Sequence, residues 1–199
     1  MDQNEWNERY RATELVWSAE PNRFVVAEVA DLEPGRVLDL AAGEGRNAIW
    51  LAEQGWRAAA IDYSDVALDK ARDLAARRGV EIDTALEDVT RFRPSPGAYD
   101  LVLVAYLQLP EPDRSAALRR AVDAVAPGGT LLVIAHDESN VERGYGGPKD
   151  PAVLASPDEV ASIVSELEVV KAERVERAVD TPDGPRVAID HVVRARRPA

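Results

Sequence analysis

The chain has 199 residues, 46% apolar and 30% charged, a balance that suits one compact globular domain with a small appended segment and excludes a fibrous or disordered protein. The absence of cysteine excludes disulfides, cysteine zinc sites and thiol catalysis, and two histidines far apart in sequence give no basis for expecting a metal. Lys+Arg 24 against Asp+Glu 36 gives a net charge of −12, which would repel a phosphate backbone and so argues against nucleic acid as a partner.

Nothing in the chain approaches the roughly 18 uninterrupted apolar residues of a membrane span. The opening MDQNEWNERY lacks the basic and apolar regions of a signal peptide, so no membrane partner and a cytoplasmic location are expected. Within it Trp6, Tyr10 and Trp17 are spaced to share one helix face, either as a lid over a ligand or as a helix packed on a sheet edge. Residues 1–24 are accordingly set apart from a main domain at 25–199.

RVLDLA at 36–41 is a short apolar run that passes through Gly43 and Gly45 into a helical stretch ending at Gly55. AAAI at 58–61 predicts a second strand, followed by a helix from Ser64 or Asp65 to Arg78 with Gly79 as its C-cap. Val80 to Leu86 predicts a third strand, and YDLVLVAY at 99–106 a fourth, apolar enough to be buried on both faces of a parallel sheet. A helix from Pro112 or Asp113 is stopped by Pro127, Gly128 and Gly129 before the strand TLLVIA at 130–135. After a loop at 136–151, a helix capped near Ser156 runs to about Leu167, and 169–179 and 186–196 flank a Thr-Pro-Asp-Gly-Pro turn as an antiparallel hairpin. Alternating strands and helices imply an α/β, doubly wound, Rossmann-like sheet of seven mostly parallel strands with helices on both faces. Ligands of such sheets bind beyond the carboxyl ends of the strands.

The strand-to-helix loop from Asp39 to Asn47 carries glycines that let backbone approach a ligand. Gly43-Glu44-Gly45-Arg46-Asn47-Ala48 also satisfies the dinucleotide fingerprint, so an NAD(P)-dependent oxidoreductase stays in view. Asp39 weighs against a dinucleotide: a carboxylate ahead of the glycines opposes a pyrophosphate but suits a ligand that carries a sulfonium and an ammonium.

Asp39-Leu40-Ala41-Ala42-Gly43-Glu44-Gly45 resembles the [D/E]-x-G-x-G-x-G motif of the class I S-adenosylmethionine-dependent methyltransferases, with Ala41 in place of the first glycine. Asp62 follows 17 positions after Gly45, where the family uses an acid to accept the ribose hydroxyls. Glu87-Asp88-Val89 resembles its adenine-contacting segment, with Asp88 taking the exocyclic amine and Val89 lining the ring. Tyr99-Asp100-Leu101-Val102, Ala126-Pro127-Gly128-Gly129-Thr130-Leu131 and the terminal hairpin continue the likeness from about residue 35 to the end. Gly45-Arg46-Asn47 and the short length are similar to the tellurite-resistance and thiopurine-methyltransferase-like branch.

The resemblance implies S-adenosylmethionine as cofactor, held by Tyr10, Asp39, Ala41, Gly43, Arg46, Asn47, Asp62, Tyr63, Asp88, Val89 and Ala105, and a small-molecule methyl acceptor. Methyl transfer depends chiefly on alignment, so no fixed triad is required. For an acceptor that must lose a proton, His136 at the end of the fifth strand is the candidate base, and Tyr106 is placed to orient the acceptor. His191, in step with Ile189 and Val193, is expected to face the core. A non-catalytic S-adenosylmethionine-binding protein is the alternative from another class, and sequence is silent on oligomeric state.

Overall fold

The computed structural model describes residues 2–199. Seven strands form one sheet in the order β3-β2-β1-β4-β5-β7-β6. They are β1 (Arg36–Leu40), β2 (Arg57–Asp62), β3 (Asp83–Leu86), β4 (Tyr99–Ala105), β5 (Val125–His136), β6 (Glu168–Val179) and β7 (Arg186–Arg196). The first five pair in parallel, whereas β7 runs antiparallel to both β5 and β6. The doubly wound sheet with a terminal hairpin expected from the alternating pattern is therefore what forms.

The helices are α1 (Gln3–Arg11), α2 (Arg23–Val29), α3 (Arg46–Glu53), α4 (Asp65–Arg78), α5 (Asp113–Ala124), α6 (Asn140–Arg143) and α7 (Pro157–Ile163). None among the described residues is long and apolar enough to cross a membrane. The period of two along the central strands splits the core between the faces. Leu38, Leu40, Val102 and Val104 pack with α5 and α7, and Val37, Leu101 and Leu103 pack with α2 and α3. Each fully buried aliphatic side chain contributes about 1.5–3 kcal/mol, so the two layers fix the sheet on which the site is mounted.

Differences from the sequence expectation are local. β3 starts at Asp83 because Val80 is taken up by the end of α4: Gly79 is left-handed at φ 71, and Val80 N–H donates to the Ala75 carbonyl at 3.1 Å. β5 begins at Val125, and Tyr99 pairs with Val125 across a register shift, so the Pro-Gly-Gly segment is a bulged stretch of strand rather than a break before it. α7 ends at Ile163, after which turns carry the chain to Leu167. Trp17 lies outside α1, which stops at Arg11, so the three aromatic residues do not share one helix face. The Arg9 guanidinium instead joins the two tryptophans, 5.1 Å from the Trp6 ring and 5.0 Å from the Trp17 ring, and Tyr10 stacks on Trp6. α2 and α6 had no counterpart in the sequence reading; α2 begins inside the segment assigned to the lid and buries Val25 and Val29 in the core.

His191 faces inward as its strand position implied and is 1% exposed. Neither ring nitrogen makes a hydrogen bond, although the Ala155 backbone lies beside the ring. Burial pulls its pKa down to about 4. An unfolded histidine titrates near 6.5, so between these values the unfolded chain binds the extra proton and stability falls as pH is lowered. His191→Leu is expected to gain on the wild type by about 3 kcal/mol between pH 6.5 and pH 4, read as the difference between their urea unfolding curves. A pH-independent difference would show that folding does not lower the imidazole pKa.

Candidate functional site

The strand order reverses between the parallel neighbours β1 and β4, and the chemistry-bearing residues collect at the carboxyl ends of the strands there. The loop after β1 bends twice through the left-handed region, at Ala41 (φ 58) and Gly43 (φ 56), before Gly45 (φ 76) starts α3. Ala41 keeps the conformation that a glycine would take without strain, so its substitution costs backbone energy rather than loop shape. A Cβ on Gly43 would lie 2.9 Å from the Tyr10 hydroxyl, and one on Gly45 would lie 2.9 Å from the Ala71 Cβ. Both glycines are required by close approach as well as by backbone angle.

Three carboxylates surround this loop. Asp39, 1% exposed, gives a hydrogen bond acceptor to the Ala48 N–H in the first turn of α3, while its Oδ2 is buried with no partner. Burial raises its pKa to about 7, against the pull of Arg46 and the Ala48 N–H. Asp62 accepts from Gly43 N at 2.8 Å and from Ser64 N at 2.9 Å, and burial raises its pKa above the usual carboxylate range. With a further bond from the Tyr63 backbone, these contacts still leave a lone-pair position of the carboxylate open to another donor. Glu44, 3% exposed, accepts from the backbone of Val16 and Trp17 and from Lys70 Nζ at 3.2 Å.

Those Glu44 bonds also fasten the N-terminal segment across the loop. Lys70 Nζ donates to the carbonyls of Tyr10 and Thr13. Asn7 joins Asp65 at 2.7 Å and Ser64 at 2.5 Å, Gln3 reaches the Tyr63 carbonyl, and Asn22 N–H donates to Asn47 Oδ1 at 2.8 Å. Tyr10 is thereby buried over Gly43, with its phenol pKa raised by burial and then by Asp62.

At the far side of the switch point, Ala105 ends β4 and Tyr106 follows at φ 59, a strained angle for an aromatic residue. Tyr106 Oη donates to Asp190 Oδ2 at 2.7 Å and accepts from Asn22 Nδ2 at 3.3 Å. Burial raises the phenol to about 12. His136 ends β5 opposite Asp190 of β7, with Nδ1 2.8 Å from Asp190 Oδ1 and its ring centroid 5.0 Å from that of Tyr106. Arg177 Nε donates to Asp190 Oδ2 at 2.8 Å, and its guanidinium lies over the Tyr106 ring. Although burial pushes the Asp190 pKa upward, contacts from His136, Arg177 and Tyr106 hold it below the usual range.

The structure thus brings Tyr10, Asp39, Ala41, Gly43, Arg46, Asn47, Asp62 and Tyr63 to one corner, and Ala105, Tyr106 and His136 to the next. Asp88 sits beyond β3, half exposed. Its Oδ1 is engaged by Thr90 N at 2.9 Å and Thr90 Oγ1 at 2.7 Å, and Oδ2 is 3.8 Å from Arg91. Val89 packs with Leu40 and Ile61 in the core. Sequence reasoning missed Asn22, Glu44, Lys70, Arg177 and Asp190. The one visible signal was Asp190, a charge inside the apolar run of β7 beside His191.

A pyrophosphate placed on this loop would meet Asp39, Glu44 and Asp62 together, and the Gly43 N–H is already spent on Asp62. The orphaned Asp39 Oδ2 instead fits a cation. The Arg46 guanidinium, which has no hydrogen-bond or ion-pair partner among the described residues, fits a carboxylate nearby. S-adenosylmethionine carries both groups.

Comparison with known proteins agrees. Residues 37–129 match the methyltransferase-domain family. The chain is 29% identical over 134 residues, 66% of its length, to 2-heptyl-1-hydroxyquinolin-4(1H)-one methyltransferase of Mycobacteroides abscessus, 57% of which is matched. It thus spans little more than half the length of that relative. The fold is shared with the N-methyltransferase NodS from Bradyrhizobium japonicum in complex with S-adenosyl-L-homocysteine, at TM-score 0.74 and 21% identity over the whole of both chains. It is also shared with TehB from Haemophilus influenzae, at TM-score 0.71 and 18% identity over 98% of this chain and 66% of the other. In sequence the chain is similar to methyltransferases over residues 37–129, a little under half of its length, and in fold it is similar to an N-methyltransferase that holds S-adenosyl-L-homocysteine. These likenesses do not single out a tellurite-resistance branch.

Proposed function

We propose that the protein transfers a methyl group from S-adenosylmethionine to a small-molecule acceptor in the cytoplasm. The observation that carries this reading is the buried Asp39 Oδ2 left without a partner beside the glycine loop, a cost that a cationic ligand removes. When bound, the cofactor supplies an electrophilic methyl on a sulfonium. In this reading Asp39 faces its ammonium and Arg46 its carboxylate, Gly43 and the backbone at Ala41 and Ala105 line its path, and Asn47 braces the loop through Asn22. Asp62 accepts the ribose hydroxyls beside Tyr63, and Asp88 and Val89 flank the adenine. Residues 1–24 act as the lid, with Tyr10 closing on the loop and the bonds of Glu44 and Lys70 holding it shut. Tyr106 and His136 then face the acceptor.

The named relative acts on a hydroxyquinolone, so ring hydroxyls are the first acceptors to try. The test is a donor-saturated screen of hydroxyl, thiol, amine and metalloid acceptors that reads release of the demethylated cofactor. Turnover with at least one class is expected. Tight donor binding with no turnover in any class would instead favour a protein that holds the cofactor without catalysis.

A further inference from the structure

Asp190 lies apart from the glycine loop in the last strand of the hairpin, is fully buried, and has Tyr106, His136 and Arg177 converging on it. We propose that Asp190 is the positioning residue of the acceptor site, fixing His136 with its proton on Nδ1 so that Nε2 is left bare to receive the acceptor's proton. The inference rests on the methyl-transfer reading.

The geometry leaves little choice. His136 Nδ1 and Asp190 Oδ1 are buried 2.8 Å apart, and neither has any other partner. Two bare lone pairs at that distance repel, so a proton lies between them. The carboxylate is the weaker base of the two in this setting, because Arg177 and Tyr106 both donate to its other oxygen. The proton therefore stays on Nδ1, and the lone pair of the neutral imidazole is the one on Nε2. His136 and Asp190 are direct partners in the β5–β7 register, and Tyr106 is held in a strained turn with its hydroxyl on the same carboxylate. A further chain runs from Asn47 through Asn22 to Tyr106, so the donor loop and the acceptor side share one hydrogen-bonded frame.

In the step this permits, an acceptor O–H gives its proton to Nε2 and its oxygen pair forms the new bond to the methyl carbon. The carbon–sulfur pair leaves with sulfur as a neutral thioether. Asp190 stays ionised throughout and touches neither reactant.

Asp190→Asn tests this because Arg177 can only donate. The amide must turn its oxygen toward Arg177 and Tyr106 and its NH2 toward His136 Nδ1, which forces the imidazole proton to Nε2. The chain has two histidines, so 15N spectra of the histidine-labelled protein contain two imidazoles, assigned with His136→Gln. Wild type is expected to show His136 as the Nδ1–H tautomer and Asp190→Asn as the Nε2–H tautomer, with S-adenosylhomocysteine affinity unchanged within about twofold. Methylation of a phenol should fall by about 10²-fold or more, while methylation of thiophenol, offered as its thiolate and needing no base, should fall far less. An Nε2–H tautomer in the wild type, a tautomer unmoved by the substitution, or equal losses for phenol and thiophenol would each overturn the assignment. Where neither probe is methylated the spectra alone decide. Failure of the wild type to bind S-adenosylhomocysteine would count against the methyl-transfer reading while leaving the tautomer result standing. Tyr106→Phe, which keeps Arg177 on Asp190, should leave the Nδ1–H tautomer in place.

Discussion

Replacing Asp39 by Asn is expected to make the ligand-free protein more stable at pH 8, by about 2–4 kcal/mol, and at the same time to loosen its hold on S-adenosylmethionine. Asn keeps an oxygen for the Ala48 N–H at the start of α3, so the helix cap survives. What it removes is a charge that the apo fold does not compensate. The carboxyl titrates near 3.9 when unfolded and, raised by burial, at about 7 when folded. Between these values the folded state holds the proton that the unfolded state has lost, so stability falls as pH rises and the full penalty is reached above pH 7. Urea unfolding of the two proteins should nearly coincide at pH 4 and separate progressively to pH 8. A gap that does not widen with pH would mean that Asp39 already has a cationic partner. In the wild type a cationic ligand favours the ionised carboxylate, so donor binding should release a proton near neutrality and weaken as pH falls below 7.

Asp62→Ala is expected to cost donor affinity about 10- to 150-fold, the equivalent of 1.5–3 kcal/mol for a charge-assisted interaction. Asp62 does two things at once: it ties the Gly43 and Ser64 N–H groups into one turn, and it keeps lone pairs for hydroxyl donors. The substitution takes this acceptor from the backbone N–H groups of Gly43, Tyr63 and Ser64, so a stability loss of about 1–3 kcal/mol should accompany the weaker binding. Calorimetry with S-adenosylhomocysteine at a temperature well below unfolding separates the two effects. Unchanged affinity would remove Asp62 from the donor site.

Both substitutions lie in the part of the molecule that the sequence makes most legible. An apolar strand, an acid, two glycines and a helix are contiguous, so Asp39, Gly43 and Gly45 are read from one stretch of chain, and Asp62 from the end of the next strand. The frame behind His136 was not legible, because it joins residues 22, 106, 136, 177 and 190 through strand pairing and register. Nothing local relates Asp190 to His136 until β7 is known to lie antiparallel beside β5 in the observed register. The latch formed by Glu44 and Lys70 was hidden for the same reason: Glu44 occupies a variable place in the motif, and its partners come from backbone N–H groups near residue 16 and from a neighbouring helix. Ala41 shows the converse, a departure from the motif that the backbone absorbs by adopting the left-handed angle regardless.

On the proposed function, the loop between β1 and α3 receives a cation and a ribose rather than a pyrophosphate. Calorimetric titration of the wild-type protein at pH 7.5 with S-adenosylmethionine, S-adenosylhomocysteine and NAD in parallel tests it most directly. One equivalent of S-adenosylmethionine and of S-adenosylhomocysteine should bind, and NAD should give no saturable heat. Saturable binding of NAD with no binding of either methyl-donor ligand would contradict it.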